Sequence, residues 1–260
     1  MSEYPQEYNQ AQYIKWHEQY IEKDISLENE IDNILLNLKE QNKDRLAKLA
    51  ELLSRTHSFL LLASRMKKED VSDCNTEIQL QENLHQNYDL LFKSKESILD
   101  KMWRKNKDRK QGNEITTTNI KDEMGDLIRS SIVTSTFAYA DNLASSIGLW
   151  EELIDTLQLN KDHYQDLLSI DTQHEAKMDK GYFAYHLDVR YKDGLRVEIQ
   201  IYSKLSQVWR SLSHKLYEKV RLGEDVKWGH GAAASRLVSL GHLLHLAECE
   251  VQHLKSTISD

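Results

Sequence analysis

Pro5 is the only proline in this chain, and only nine glycines accompany it across 260 residues. Proline removes a backbone donor and glycine loosens the backbone, so a chain poor in both can carry long uninterrupted helices. It also has few places for the tight turns of an all-β protein. The length suffices for one large domain with helical extensions and a sizeable core. Charged residues make up 29% of the chain, which fits a soluble folded protein. The net charge of −8 argues against a surface built for general nucleic-acid binding, although it leaves room for a local basic patch. No apolar stretch approaches the roughly 20 residues that span a bilayer, so no membrane partner is expected. The opening MSEYPQEYNQ lacks the basic and apolar regions of a secretory signal. Cys74 and Cys249 fall into no metal-like spacing, and reduced thiols in a cytoplasmic protein are the expectation.

Apolar residues follow helical spacing from about Ile25 to Leu62, through Ile31, Ile34, Leu35, Leu38, Leu46, Leu49 and Leu53. This predicts two or three helices with short joints. Residues 70–83 are polar and unpatterned and read as a surface connection, with a further helix over 84–105. The pattern then changes. Leu127–Val133 alternates like a strand, and Tyr139–Leu159 is helical. Phe183–Tyr191 and Leu195–Tyr202 flank Lys192-Asp193-Gly194, which predicts a β-hairpin with Gly194 at positive φ. A helix over Lys204–Arg221, a loop around Gly223, Gly229 and Gly231, and a last helix follow. In that last helix Leu237, Leu240, Leu244, Ala247, Val251 and Leu254 form one apolar seam. Its expected partner is either the N-terminal helices or a second subunit, with the intrachain choice favoured. The expected class is α/β (α+β), a small mixed sheet surrounded by helices. Residues 1–83 form an N-terminal helical region, 84–222 the core and 223–260 a C-terminal helical segment packing on that core.

Side chains alternate faces along a strand, so Val197, Ile199 and Ile201 share one face. Arg196, Glu198, Gln200 and Tyr202 share the other. On the partner strand Tyr182, Ala184, His186 and Asp188 lie together. One face packs on the core, and the other gathers a carboxylate, an amide, an imidazole and a phenol. A third polar element is Lys93-Ser-Lys-Glu-Ser97-Ile-Leu-Asp-Lys101. If helical, it stacks Lys93, Ser97 and Lys101 on one face, where two ammonium groups flanking a hydroxyl suit a triphosphate. Spacing alone also fits solvated surfaces at both places.

The wording of these segments is more specific than their spacing. Lys93-Ser94-x-Glu96-Ser97-Ile98-x-x-Lys101 resembles the ATP-binding signature of the RelA/SpoT synthetase family. Gly181-Tyr182-x-x-x-His186 resembles its acceptor motif, Val197-Glu198-Ile199-Gln200-Ile201-x-Ser203 its VEIQIRT motif, and Trp209 with His214-Lys215 the segment behind it. Asp126 and the strand through Arg129 to Val133 occupy the place of the family's metal-binding aspartate. All stand in family order over roughly Leu90 to Tyr217, and Ala234–Lys255 is similar to fungal members. The resemblance implies a small synthetase-only protein of nucleotidyltransferase fold that moves pyrophosphate from ATP to a 3′-hydroxyl of a purine nucleotide, making an alarmone. It implies Asp126 and Glu198 as ligands of Mg²⁺, and Glu198 also as proton acceptor with Gln200 orienting the substrate. Lys93, Ser97, Lys101 and Arg129 would bind ATP, while Tyr182 and His186 would hold the acceptor.

Several family arginines are replaced. Leu91, Phe183 and Tyr202 stand at arginine positions and Ala184 at a serine. The arginine of the aspartate strand is Ser131, with Arg129 available to substitute from a different face. Each such arginine normally grips phosphate bidentately, so their loss keeps open a catalytically degenerate nucleotide-binding module, or a helical interaction protein. The basic run Lys101–Lys110 allows a third reading, a docking patch for a tRNA 3′ end, against which the acidic net charge counts. His242, His245 and His253 lack a metal-like arrangement and read as ordinary exposed or core histidines. Oligomeric state is left open.

Overall fold

The computed structural model of the chain describes residues 4–69, 71–110, 112–221 and 232–259. At its centre is a five-stranded mixed sheet in the order β1-β2-β5-β4-β3. The strands are β1 (Thr76–Ile78), β2 (Ile128–Thr134), β3 (Leu167–Lys177), β4 (Tyr182–Tyr191) and β5 (Arg196–Ser203). β2 and β5 run parallel and the other neighbours antiparallel. The helices are α1 (Gln10–Tyr20), α2 (Leu27–Met66), α3 (Gln79–Gln86), α4 (Lys95–Asn106), α5 (Ile120–Glu123), α6 (Phe137–Gly148), α7 (Trp150–Thr156), α8 (Lys204–Arg221) and α9 (Ala233–Ser259). The α+β class is as expected. No helix among the described residues is long and apolar enough to cross a membrane.

The apolar face of the sheet packs on α6. Ile132, Leu187, Val197, Ile199 and Ile201 join Ala140, Leu143, Ala144 and Ile147 in one core, and Leu46, Leu49 and Leu53 of α2 complete it. Burying side chains of this size fully is worth about 1.5–3 kcal/mol each. The hairpin forms as read, with Gly194 at φ +86 and Asp193 Oδ1 accepting from the Leu195 amide at 3.2 Å.

Several of the expected elements differ in the structure. The stretch from about Ile25 to Leu62 is not two or three jointed helices, because α2 runs unbroken for 40 residues. The polar run Lys39–Arg45 stays helical: Asn42 donates back to the Leu38 carbonyl at 2.9 Å, and Arg45 is held by Asp166 and Asp193, both at 2.6 Å. The supposed connection over 70–83 contains β1 and the start of α3. The helix expected over 84–105 is interrupted, since α3 ends at Gln86 and Phe92 instead makes a β-bridge with Ile128. Ser94 then caps a new helix by accepting from the Ser97 amide at 3.3 Å. Finally, β3 went unread. Its side chains are largely exposed and it owes its form to a long register with β4. The expected loop around Gly223, Gly229 and Gly231 lies outside the described residues.

The C-terminal helix docks differently from the expected seam. Its main partners are α8, β4 and the turn Met178–Lys180, rather than the N-terminal helices. Gly241 meets Gly181, where a Cβ added to Gly181 would lie 2.6 Å from the Val238 carbonyl oxygen. Trp209 donates its indole N–H to the Leu237 carbonyl at 2.8 Å. His245 stacks on Phe183 at 3.8 Å and 7°. Leu237, Leu240 and Leu244 are half-buried, whereas Ala247, Val251 and Leu254 are exposed. The seam is therefore real for its first half only, and Ala247 and Val251 instead line a groove with Phe137, Tyr139 and Leu205. Beyond it, Lys255 pairs with Asp73 near the end of α2.

Candidate functional site

The polar face of the sheet is set by strand register. Arg129 stands opposite Glu198 and Ser131 opposite Gln200 across β2 and β5, while His186 and Asp188 stand opposite Gln200 and Glu198 across β4 and β5. Paired residues on neighbouring strands point to the same side, so these groups converge as the alternation predicted. Arg129 and Ser131 are two residues apart on one strand and so share a face, which corrects the expectation that Arg129 would act from a different one.

Asp126 lies just ahead of β2 and receives two cations. Lys93 Nζ approaches one carboxylate oxygen at 2.8 Å and Lys101 Nζ the other at 2.6 Å. Lys93 is not part of the helix that carries Lys101. It is fixed instead by its amide donating to the Leu127 carbonyl at 2.9 Å, and by the neighbouring bridge of Phe92 to Ile128. The two lysines meet through Asp126 rather than through helical spacing. Ser97 serves the α4 cap, its amide and hydroxyl both engaging Ser94. Burial would raise the Asp126 pKa, but the two ammonium groups override it and hold the carboxyl down at about 2. Burial lowers the Lys93 pKa despite its partner, with Arg129 and Lys101 adding to the effect.

A hydrogen-bonded chain crosses the other half of the face. The Tyr182 hydroxyl and His186 Nε2 are 2.7 Å apart, His186 Nδ1 lies 3.5 Å from Glu198, and Gln200 donates to Glu198. The amide oxygen of Gln200 is buried with no partner among the described residues, which suits a residue waiting for a donor. Arg196 is spoken for: it binds Asp188 through two nitrogens, at 3.0 and 2.7 Å. Burial would raise the Asp188 pKa, yet Arg196 and Arg190 hold it below its ordinary value.

Sequence reasoning missed Arg210, on α8. Its guanidinium lies over the Tyr202 ring, 5.0 Å from the centroid, and donates to the Tyr182 hydroxyl at 3.4 Å. Its i, i+4 spacing from His214, immediately behind β5, was the available signal. Burial lowers the His214 pKa, and the charges of Arg210 and Arg129 lower it further.

The replaced positions are built into the packing. Leu91, Phe183, Ala184 and Tyr202 are all buried. Most of the basic run is engaged internally: Lys101 with Asp126, Arg104 with Asp100, Lys105 with the Glu123 carbonyl and Arg109 with the Glu123 carboxylate. Lys107 lies over Trp103. Among the described residues no group of three or more His, Cys, Asp or Glu is placed to hold a metal ion.

No protein-family model matches the sequence, and no curated protein matches it. Solved structures do show a likeness. Small alarmone synthetase 1 from Bacillus subtilis, bound to its product pppGpp, shares 19% identity over 89% of this chain and 98% of that one, with a TM-score of 0.49. A GTP pyrophosphokinase family protein from Streptococcus pneumoniae shares 18% over 82% and 93%, with a TM-score of 0.45. Small alarmone synthetase 2 from Bacillus subtilis shares 20% over 80% and 97%, with a TM-score of 0.41. In overall architecture, the chain is similar over most of its length to small alarmone synthetases of the RelA/SpoT type.

Proposed function

We propose that this protein is an ATP-dependent pyrophosphokinase that transfers pyrophosphate to the 3′-hydroxyl of a purine nucleotide. The observation that carries the reading is the meeting of Lys93 and Lys101 on Asp126, ahead of the strand whose Arg129 stands opposite Glu198. Cations gathered around carboxylates beside one polar sheet face suit a polyphosphate and the charge that develops during its transfer.

The acceptor's 3′-oxygen attacks the β-phosphorus of ATP, and the bond from that phosphorus to the oxygen bridging to the α-phosphate breaks. AMP leaves, and the β- and γ-phosphoryl groups stay on the acceptor. Glu198 takes the hydroxyl proton, and Gln200, holding Glu198 on one side, offers its free carbonyl oxygen to orient the substrate. Lys93 and Lys101 turn from Asp126 to the ATP phosphates, beside Arg129. Ser97 lies at the start of the α4 helix, where backbone N–H groups favour anions. Tyr182 gives the acceptor base an aromatic surface, and His186 links that residue to Glu198.

The donor set also fits Mg²⁺, which binds through one or two carboxylates plus substrate phosphates. Asp126 and Glu198 would hold it, and the ion would neutralise phosphate charge. The two lysines hold the Asp126 carboxyl down at about 2, so it is charged at physiological pH while they remain paired with it.

Incubation with labelled ATP, Mg²⁺ and GDP, GTP, AMP or tRNA, with separation of products, tests the reading. Transfer to a nucleotide supports it. ATP binding without transfer to any acceptor favours the degenerate module, for which the buried Leu91, Phe183 and Tyr202 are the structural argument. Transfer to tRNA alone would move the acceptor to an RNA end, against the internal pairing of the Lys101–Lys110 cations.

A further inference from the structure

Apart from Arg129 and Arg210, the arginines whose side chains are described are either paired or solvated. Arg45, Arg109 and Arg196, each half-buried, have carboxylate partners, and Arg65 and Arg236 are exposed. Arg129 and Arg210 differ. Among the described residues they are half-buried guanidinium groups that form no ion pair with a carboxylate. Holding a charge partly out of water without a counter-ion is costly, and here the two lie on one sheet face.

The Arg210 side chain is nonetheless held in place. Its guanidinium face is occupied by the Tyr202 ring, and one nitrogen reaches the Tyr182 hydroxyl at a long 3.4 Å. Both partners are neutral, so neither satisfies its charge. A guanidinium covered on its face keeps its in-plane N–H donors, and that edge is the part that grips phosphate bidentately. Tyr182 connects to His186 and so to Glu198, placing Arg210 at the acceptor end. Arg129 is the register partner of Glu198, and the ring of His214 feels both guanidinium charges.

We propose that Arg210, supported by Arg129, forms an anion subsite for the acceptor's 5′-phosphates and makes the site prefer a purine nucleoside diphosphate to the bare nucleoside. The proposal rests on the pyrophosphokinase reading. It assigns α8 the phosphate contact that Tyr202 cannot make, with the Tyr202 ring as the platform that aims the arginine. The competing account is a structural clamp in which Arg210 only fastens α8 to the sheet.

Calorimetry on the full chain separates the two, using GDP, guanosine and ATP with wild type, Arg210→Ala, Arg210→Lys and Tyr202→Phe. Loss of a charge-assisted bidentate contact should weaken GDP binding about tenfold or more in Arg210→Ala, with guanosine and ATP affinities unchanged. Arg210→Lys should recover part of the loss, and Tyr202→Phe, which keeps the ring, should behave as wild type. Equal weakening of GDP and guanosine, or GDP binding unchanged in Arg210→Ala, would overturn the subsite while leaving the pyrophosphokinase reading intact. A wild-type protein that binds neither ATP nor GDP would overturn both.

Discussion

Arg129 on β2 and Glu198 on β5 are register partners across the one parallel ladder of the described sheet, yet they form no ion pair. Glu198 turns instead to Gln200 and His186, leaving the guanidinium for an external anion. This division makes Glu198 the sharpest single test of catalysis. Glu198→Gln keeps shape and removes charge, so transfer should fall by about 100-fold or more, in line with losing a general base. Circular dichroism and melting should be unchanged. Full activity in this variant would remove the proposed role.

The Asp126 cluster predicts a stability effect independent of activity. Asp126→Asn leaves buried Lys93 without its counter-charge, which should cost about 3 kcal/mol in urea denaturation. The pH dependence has a definite sign. Asp126 titrates at about 2 in the folded chain, below the roughly 3.9 of an unfolded aspartate. Its contribution is therefore complete above the unfolded value and is lost as pH falls through the folded one. The gap between wild type and Asp126→Asn should be flat above about pH 5 and narrow toward pH 2. A gap that widens on acidification would contradict the pairing.

ATP affinity should respond to the same lysines. Lys101→Ala removes a cation that the phosphates would recruit from Asp126, and should cost about 1.5–3 kcal/mol of ATP binding by calorimetry. An unchanged affinity in both Lys101→Ala and Lys93→Ala would leave these residues a purely structural role.

The docking of α9 depends on two glycines. A Cβ at Gly241 would overlap the Gly181 carbonyl and crowd the Trp209 indole nitrogen at 2.8 Å. Gly241→Ala should destabilise the protein by about 1–3 kcal/mol, as overpacking does, and expose the C-terminal region to limited proteolysis. Melting and digestion indistinguishable from wild type would show that α9 is not seated on this contact.

The two halves of the apolar seam should also behave differently. Leu244 lies beside Tyr182, Phe183, Tyr202 and Trp209, so Leu244→Glu should cost about 2 kcal/mol or more. Leu254 is 48% exposed, and Leu254→Glu should stay within about 0.5 kcal/mol. Equal effects at both positions would point to a partner covering the second half, which sedimentation would reveal.

Local pattern carried the elements whose causes are local. The alternation in Arg196–Tyr202 announced a strand with Glu198 and Gln200 on one face, Gly194 announced the turn, and helical spacing announced α6, α8 and α9. These depend on neighbours a few residues apart, where side-chain period and backbone freedom act directly. Lys93, Asp126, Tyr182, His186 and Glu198 were marked by their resemblance to the RelA/SpoT motifs rather than by period. What the sequence could not decide was which distant groups meet. Lys93 resembled one member of a helical row, but a bridge from Phe92 to Ile128 and the Ser94 cap pulled it out of the helix and onto Asp126. β3 carried too weak an alternation to be read, because its pairing energy comes from β4. The seam on α9 looked uniform, but the fold covers only its first half. Arg210 carried only its i, i+4 spacing from His214 in the sequence, and the packing of α8 across the sheet set it over Tyr202. Such placements are fixed by long-range burial and by the cost of unpaired charge, which no window of adjacent residues contains.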